Sequence, residues 1–190
     1  MDRGITRDAT RRALIGGGLL GLVGASGLAL ATRVVFAGTA HADRESFDLG
    51  TVADVVADLA AQPRGIRAYP EQRLALVRYQ PFPAYAALAA DVTAAGVLAV
   101  RMRCTHLGCY APLCESSGWF ECPCHASRFN RAGEYEFGPA PRGLDRYRLA
   151  VRPRPNAPDR LVVNLNRVYP GPPRGTGSVD PTPAGPHCVD

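Results

Sequence analysis

Two short sequences, CTHLGC at residues 104–109 and CPCHAS at residues 122–127, decide the fold and the chemistry predicted for this chain. We call them the first box and the second box. Each combines a cysteine and a histidine, as Cys-x-His in the first and Cys-x-x-His in the second, with fifteen residues between the two pairs. The four potential metal ligands are Cys104, His106, Cys122 and His125. Each box also holds one further cysteine, so the pair of boxes is more specific than either box alone.

Two thiolates and two imidazoles suit a [2Fe–2S] cluster in which two cysteines bind one iron and two histidines bind the other. Replacing two thiolates by neutral imidazoles makes such a cluster less negative, so it accepts an electron more readily. A ligand histidine also has a second ring nitrogen, whose pKa depends on the charge of the iron. Electron uptake and proton uptake are therefore expected to be coupled, which suits a donor such as a quinol.

Zinc is the alternative, because two cysteines and two histidines are also a common zinc ligand set. A zinc finger does not account for the second cysteine of each box. It also usually pairs cysteine with cysteine and histidine with histidine, whereas each box here supplies one of each. The pattern therefore favours the iron–sulfur cluster over zinc.

The boxes resemble those of the Rieske iron–sulfur subunits of cytochrome bc and b6f complexes. The run GPAP at residues 138–141 is similar to the proline loop that covers the cluster in that family. The resemblance implies one cluster per chain, with Cys104 and Cys122 on one iron and His106 and His125 on the other. It also implies a disulfide between Cys109 and Cys124. The docking surface implied by the resemblance consists of Leu107, Gly138, Pro139 and Pro141.

The chain departs from the family pattern at two positions and keeps it at a third. Ala126 replaces the usual glycine, a change expected only to tighten local packing. Phe129 stands where many high-potential members have a tyrosine that donates a hydrogen bond to a ligand sulfur, whereas Ser127, which in the family bonds a bridging sulfide, is retained. Loss of a donor to sulfur disfavours the reduced state, so we expect a lower potential suited to menaquinol. The alternative is that Phe129 is simply a core residue and that another group supplies the hydrogen bond to the ligand sulfur.

The N-terminus predicts export and a membrane anchor. Arg11 and Arg12 precede an uncharged stretch in a pattern that resembles a twin-arginine signal. Residues 13–32 carry no charge, and twenty helical residues span about 30 Å, the thickness of the hydrocarbon core. The preceding arginines place the N-terminus in the cytoplasm and the rest of the chain outside, where disulfides persist. The alternative is a removable signal peptide that ends at Ala40-His41-Ala42.

We therefore predict an all-β fold, a small antiparallel β-sandwich with an inserted cluster-binding subdomain, preceded by one transmembrane helix. The predicted segments are a cytoplasmic N-terminus (1–12), the anchor (13–37), a flexible hinge (38–46), the β-rich head (47–168) and a Pro/Gly-rich tail (169–190). Cluster loops occupy 104–127 and the proline loop 138–141. A short helix or turn is predicted at 51–61, and an insertion with a helical turn at 81–96. Strands are predicted at 66–69, 73–79, 97–103, 146–152 and 161–165.

The tail is too rich in proline and glycine to pack a core, so we expect it to run extended across a surface. Cys114 and Cys188 are the two cysteines outside the boxes. In an oxidising compartment they are candidates for a second disulfide. A free thiol at Cys188, or a bond to another subunit, is the alternative. His187 is expected to be a solvated tail residue.

The resemblance implies an electron-transfer subunit of a quinol:cytochrome c oxidoreductase. Such a subunit works with cytochrome b and a c-type cytochrome in a dimeric membrane complex, and His125 would accept the quinol proton. The alternative is the Rieske small subunit of a periplasmic arsenite oxidase, which relays electrons from a molybdenum site. A soluble ferredoxin or ring-hydroxylating oxygenase is disfavoured by Cys109 and Cys124. Nucleic-acid binding is disfavoured, because the net charge is only +5 and the arginines are scattered.

Overall fold

The computed structural model describes residues 46–86 and 93–190. The chain divides into two units, and the described residues belong to the second, Ser46–Asp190. The predicted twin-arginine motif, the anchor and the hinge up to residue 45 lie outside the described residues. Within the described ranges, no helix is both long and apolar enough to cross a membrane.

The described part of the chain is mostly β, with little helix, as predicted. Its strands are β1 (Ser46–Thr51), β2 (Ile66–Tyr69), β3 (Leu74–Arg78), β4 (Thr93–Ala94), β5 (Val97–Arg101), β6 (Phe120–Glu121), β7 (Arg128–Phe129), β8 (Tyr135–Phe137), β9 (Arg146–Arg152) and β10 (Arg160–Tyr169). Seven of them form an antiparallel sheet in the order β1-β10-β9-β5-β3-β2, with β4 paired to β5. The other three form a small sheet in the order β6-β7-β8.

The helix α1 (Val52–Ala61) confirms the prediction of a short helix after residue 50. It begins because the Thr51 hydroxyl accepts a hydrogen bond from the Asp54 N–H at 3.1 Å, which satisfies one of the free N–H groups of the first turn. Val55 and Leu59, four residues apart, lie on one face and are buried against the larger sheet. A 3-10 turn, Pro83–Tyr85, lies in the predicted insertion.

The neighbouring strands β3 and β5 of the larger sheet are buried on both faces. Leu74 and Leu76 of β3 belong to the apolar cluster beside α1, whereas the alternate residues Ala75 and Val77 belong to a second cluster on the opposite face. That second cluster contains the cysteines Cys104 and Cys122 together with Phe120 and Phe129 of the small sheet. The loops that carry the two boxes are therefore anchored through this second apolar cluster, on the face of the larger sheet opposite α1.

Two features of the fold differ from the prediction. The larger sheet gains β1 at its edge, paired with β10, and β10 runs on to Tyr169 across a bulge after Asn164. The expectation that the tail cannot pack a core is wrong at Val179, which is only 1% exposed and lies in the same apolar cluster as Cys104. One aliphatic side chain is enough to attach the tail to the core there, because the surrounding prolines and glycines need no burial of their own.

Candidate metal centre

The two boxes fold into loops with the same hydrogen-bond pattern. In the first box, the Cys104 N–H donates to the carbonyl five residues later (2.8 Å), and its carbonyl accepts from the Gly108 N–H (2.9 Å). In the second box, the Cys122 N–H donates to the Ser127 carbonyl (2.9 Å), and its carbonyl accepts from the Ala126 N–H (3.1 Å). Each loop thus closes on its first cysteine, which holds the following histidine at a tight turn.

The fifth residue of each loop has a left-handed backbone. Gly108 has a φ of 85° and Ala126 a φ of 57°. Glycine adopts this conformation without a Cβ penalty, whereas alanine does not. The expectation that alanine at position 126 only tightens packing is therefore wrong, because its main effect is backbone strain in the second loop.

The structure brings the four predicted ligands together in two pairs. Cys104 and Cys122 are the two free cysteines of the chain, and each is 2% exposed. Burial raises the pKa of Cys104, and the neighbouring Cys122 raises it further, against the opposing effects of the His106 N–H and the Ser127 side chain. The imidazoles of His106 and His125 lie with ring centroids 4.9 Å apart and nearly perpendicular planes. Two buried free thiols and two imidazoles close to each other fit the donor set of a metal cluster.

The second cysteines of the two boxes form a disulfide. Cys109 and Cys124 are joined with Cα atoms 6.7 Å apart. Their sulfurs and that of Cys122 all lie within 4.8 Å of one another. The bond therefore ties the two loops together directly beside the predicted ligands.

The proline loop packs against the backbone of the second box. A Cβ at Gly138 would lie 2.6 Å from the Ser127 Cα and 2.9 Å from the Ala126 carbonyl oxygen, so only glycine fits there. The Ala140 N–H donates to the Ser127 Oγ at 3.1 Å. On the other side, the Thr105 hydroxyl donates to the Arg142 carbonyl at 2.7 Å. The proline loop thus connects to both boxes.

Phe129 is fully buried in the apolar cluster that contains Cys104 and Cys122. Three tyrosine hydroxyls around this cluster have other partners. The Tyr79 hydroxyl pairs with Ser178, the Tyr110 hydroxyl donates to the Met102 sulfur, and the Tyr135 hydroxyl donates to the Gly138 carbonyl. These three hydroxyls therefore do not replace the sulfur donor that a tyrosine at position 129 would supply.

One end of the site faces solvent. Leu107 is 71% exposed at the tip of the first box, and His125, Pro139 and Pro141 are exposed as well. A single exposed leucine is ordinary on a protein surface, so the candidate contact surface is defined by Leu107 together with the exposed Pro139 and Pro141. The predicted docking residues and the predicted proton acceptor are thus accessible to a partner.

A second disulfide joins Cys114, between the boxes, to Cys188 of the tail. Glu121, which directly precedes Cys122, is 1% exposed at its side chain and anchors the same end of the tail. Its carboxylate accepts hydrogen bonds from the Ser117 hydroxyl (2.6 Å) and from the backbone N–H groups of Cys188 (2.7 Å) and Val189 (3.0 Å). Burial acts to raise the pKa of Glu121, but the hydrogen bonds outweigh it, and the pKa lies below its ordinary value.

His187 corrects a further expectation. Its Nδ1 lies 2.8 Å from the Glu121 carboxylate, and its ring centroid lies 5.0 Å from that of Trp119. His187 is therefore a docked residue and not a solvated one. Glu121 was not singled out from the sequence, although its position beside a ligand cysteine in a short apolar strand was a usable signal.

Sequence reasoning also missed Arg174, which connects the tail to the proline loop. Its guanidinium donates to the Ala140 carbonyl from Nε (3.0 Å) and Nη2 (2.5 Å), and Nη2 lies 3.3 Å from the Gly138 carbonyl oxygen. The guanidinium also lies 4.1 Å from the ring centroid of Tyr135, within cation–π distance. An arginine in a Pro/Gly-rich tail carries no local sequence signal for these contacts.

A mostly β domain with two matched loops that present two free thiols and two imidazoles defines an iron–sulfur protein of the Cys2His2 class. The model of the Rieske [2Fe-2S] domain family matches residues 50–148, about half of the chain. The chain belongs to this family, and its cofactor is a Rieske-type [2Fe–2S] cluster.

Relatives with assigned names support the same family. The ubiquinol-cytochrome c reductase iron-sulfur subunit of Rhodobacter capsulatus is 40% identical over 105 residues, 53% of this chain and 47% of the relative. The cytochrome b6-f complex iron-sulfur subunit 2 of Synechocystis sp. is 45% identical over 64 residues, 33% of this chain and 34% of the relative. The chain thus spans less than half the length of these curated relatives. Among solved structures, the cyanobacterial plasma membrane Rieske protein PetC3 from Synechocystis PCC 6803 is 28% identical, with 61% of this chain and 97% of that chain covered and a TM-score of 0.39.

Proposed function

We propose that this chain is the Rieske subunit of a quinol:cytochrome c oxidoreductase. The observation that carries the proposal is the exposed end of the site, where His125 and Leu107 face solvent beside two buried thiols. This arrangement suits a protein that must bring a proton-accepting histidine to an apolar quinol pocket on another subunit. The names of the curated relatives, subunits of cytochrome b6-f and ubiquinol-cytochrome c reductase complexes, support it. They lend no support to the arsenite oxidase alternative.

In this proposal, Cys104 and Cys122 hold one iron, and His106 and His125 hold the other. When bound, the cluster supplies a centre that takes up and releases one electron. The free ring nitrogen of His125 accepts a hydrogen bond from the quinol and then its proton, since this imidazole is exposed. The disulfide between Cys109 and Cys124 and the proline loop keep the loops fixed and limit access of water to the buried thiols. Leu107 contributes apolar contact area at the docking surface.

We further propose that the partners are cytochrome b and a c-type cytochrome in a dimeric membrane complex. The head would lie on the outer side of the cell membrane, connected by the hinge to the anchor. Two disulfides among the described residues support an oxidising compartment for the head. Residues 1–12, 13–37 and 38–46 keep the roles predicted from the sequence.

Menaquinol is the proposed donor. Phe129 is fully buried in the apolar cluster that contains the two thiols, and the hydroxyls of Tyr79, Tyr110 and Tyr135 are bonded elsewhere. Fewer donors to sulfur leave the reduced, more negative state less stabilised, so the reduction potential is lower. A lower potential matches menaquinol, which is a stronger reductant than ubiquinol.

The first experiment is an optical difference spectrum of the complex that copurifies with this chain from salt-washed membranes in mild detergent. We expect bands of b-type and c-type haem that are reduced by added menaquinol. A preparation without haem that washes off the membrane and contains molybdenum would refute the proposal.

The second experiment assigns the ligands. We expect the full-length chain to show the electron paramagnetic resonance signal of a Rieske cluster, and the His125→Ala variant to lose it together with its iron. Leu107→Ala, a matched substitution at the exposed tip, should retain both the signal and the iron but slow quinol oxidation. Retention of an unchanged signal in His125→Ala would exclude this residue as a ligand.

The third experiment tests the role of Phe129. Phe129→Tyr restores a hydroxyl near the thiols, and we expect a higher midpoint potential in a redox titration. Phe120→Tyr, also fully buried in the same apolar cluster, is the control for adding a hydroxyl to the core. A wild-type potential typical of ubiquinol enzymes would contradict the menaquinol proposal.

A further inference from the structure

The proline loop has few ways to hold itself in place. Pro139 and Pro141 have no N–H group, so they donate nothing to a strand ladder. The carbonyls of Gly138 and Ala140 instead accept hydrogen bonds from the guanidinium of Arg174 in the tail, and the Tyr135 hydroxyl also donates to Gly138 at 2.7 Å. A segment far along the chain thus fixes the loop that covers the site.

The N–H group between these two carbonyls is the one that contacts the site. The carbonyls of Gly138 and Ala140 belong to the peptide groups before and after the Pro139–Ala140 peptide. The N–H of that peptide, on Ala140, donates to the Ser127 Oγ at 3.1 Å. Ser127 is fully buried, and its carbonyl accepts a hydrogen bond from the Cys122 N–H at 2.9 Å, so it lies directly at the ligand loop. Because the Ser127 Oγ accepts from Ala140, its own proton is free to donate to a ligand sulfur, for which Cys104 is the candidate.

We propose that Arg174 is a positioning residue of the cluster. It fixes the proline loop, the loop fixes the Ala140 N–H, and this N–H orients the Ser127 hydroxyl toward the Cys104 sulfur. A hydrogen bond to sulfur favours the reduced, more negative state, so Arg174 raises the reduction potential through Ser127. The inference rests on the proposed function, since it takes Cys104 as an iron ligand.

A purely structural role for Arg174 would have a different signature. If the guanidinium only held the tail on the surface, its removal would lower stability and leave the potential of the loaded protein unchanged. If it acted as a distant positive charge, its removal would shift the potential equally with and without Ser127. Only if Arg174 acts through Ser127 will the effects of the two substitutions on the reduction potential be non-additive.

The test is a double-mutant cycle on the full-length chain in mild detergent, loaded with its cluster. The variants are Arg174→Ala, Ser127→Ala, the double variant, and Arg174→Lys, which keeps the charge but not the planar set of donors. Arg154→Ala removes an exposed arginine from the turn between β9 and β10 and is the matched control. Midpoint potentials, iron content and electron paramagnetic resonance spectra are measured for each.

We expect Arg174→Ala to lower the equilibrium constant for reduction about threefold, the effect of weakening one hydrogen bond, which is about 28 mV for one electron. Arg174→Lys should lower it less, and Arg154→Ala should leave it unchanged. In the Ser127→Ala background, Arg174→Ala should cause no further shift. Exchange of the Ala140 amide with solvent deuterium should accelerate in Arg174→Ala, as it should in Ser127→Ala, which removes the acceptor of this N–H, and it should stay unchanged in Arg154→Ala.

An unchanged potential in loaded Arg174→Ala, or a shift of equal size in both Ser127 backgrounds, would overturn the proposal. If Arg174→Ala holds no cluster, Arg174→Lys is judged by the same criteria. A wild-type chain without a Rieske signal would instead refute the proposed function, so the two failures are distinguishable.

Discussion

The larger sheet and the region between residues 104 and 145, which we call the cluster subdomain, are stabilised in different ways. In the larger sheet, β9 and β10 pair over seven positions, and β3 and β5 bury aliphatic side chains on both faces. In the cluster subdomain, β6 and β7 pair at only two positions. There the loops are held by two disulfides, by the buried Glu121, and by hydrogen bonds from side chains to backbone carbonyls.

This difference shows how a small domain can position metal ligands on loops. A strand ladder turns residues three apart, such as Cys122 and His125, to opposite faces of a sheet, and it holds the side chains of residues two apart, such as Cys104 and His106, side by side. It therefore does not make either pair converge on one point in a tight turn. Covalent and side-chain bonds can hold such a turn without a ladder. The stable sheet then serves as the support, and the geometry of the site depends on a few specific contacts.

The largest expected effect comes from breaking the link between the tail and the cluster subdomain. The disulfide between Cys114 and Cys188 closes a loop over a sequence separation of 74 residues. The double variant Cys114→Ser, Cys188→Ser should lose about 4 kcal/mol of unfolding free energy on the chain-entropy model. Urea unfolding followed by circular dichroism measures this, with Pro181→Ala in the exposed tail as the control. An unfolding midpoint equal to that of the wild type would show that this disulfide contributes nothing to stability.

The second prediction concerns the larger sheet alone. Leu76 of β3 is 1% exposed and faces the apolar cluster beside α1, not the cluster subdomain. Leu76→Ala should lower the unfolding free energy by about 3 kcal/mol, because the cavity is lined by a regular sheet that cannot collapse. Val151→Ala, at a position 41% exposed, should change it by no more than about 0.5 kcal/mol.

The potential of the loaded Leu76→Ala protein should match that of the wild type. A shifted potential would mean that packing in the larger sheet influences the metal site, so that the two regions are not energetically independent. The comparison between the two regions depends on this outcome.

The third prediction is a pH dependence. The pKa of Glu121 lies below its ordinary value of 4.5, so its ionised form stabilises the fold above that value, and this contribution is lost as the pH falls through the lowered pKa. Glu121→Gln should lose about 2 kcal/mol at neutral pH, the usual worth of hydrogen bonds to a charged group. The difference from the wild type should shrink on acidification below about pH 4. Urea titrations at several pH values, with exposed Glu115→Gln as the control, provide the measurement, and a difference that grows toward low pH would contradict it.

The smallest expected effect lies within the second box. Ala126→Gly removes the Cβ from a left-handed residue with a φ of 57° and should raise the unfolding free energy by about 1 kcal/mol or less. Ala184→Gly, at a tail position outside the left-handed region, should slightly lower it. If both substitutions destabilise the protein, backbone strain at Ala126 has no energetic consequence.

Local patterns in the sequence predicted the supporting part of the fold well. The strands predicted at 66–69 and 146–152 coincide with β2 and β9, and the short helix is present. The edge strand β1 was not predicted, although Phe47 and Leu49 alternate with polar residues. Hydrophobic periodicity indicates which face of a strand is buried, and this was enough to locate β2 and β9.

The contacts around the site were only partly predictable. The two boxes identified the candidate ligands, whose roles remain predictions, and cysteine counting proposed the bond between Cys114 and Cys188 that the structure contains. The partners of Glu121, His187 and Arg174 could not be predicted, because each contact joins residues tens of positions apart with no periodic signal. The left-handed backbone of Ala126 was hidden as well, since alanine gives no hint of a positive φ.

The contact between Trp119 and His187 has a practical consequence. Trp119 is the single tryptophan of the chain, and it lies against the tail with its ring centroid 5.0 Å from that of the imidazole. Its intrinsic fluorescence should therefore report whether the tail is docked, because undocking would expose an indole that is now 8% accessible and move its emission to longer wavelength. The protein thus contains a built-in optical probe of the segment that secures its metal site, and no label is needed to follow it.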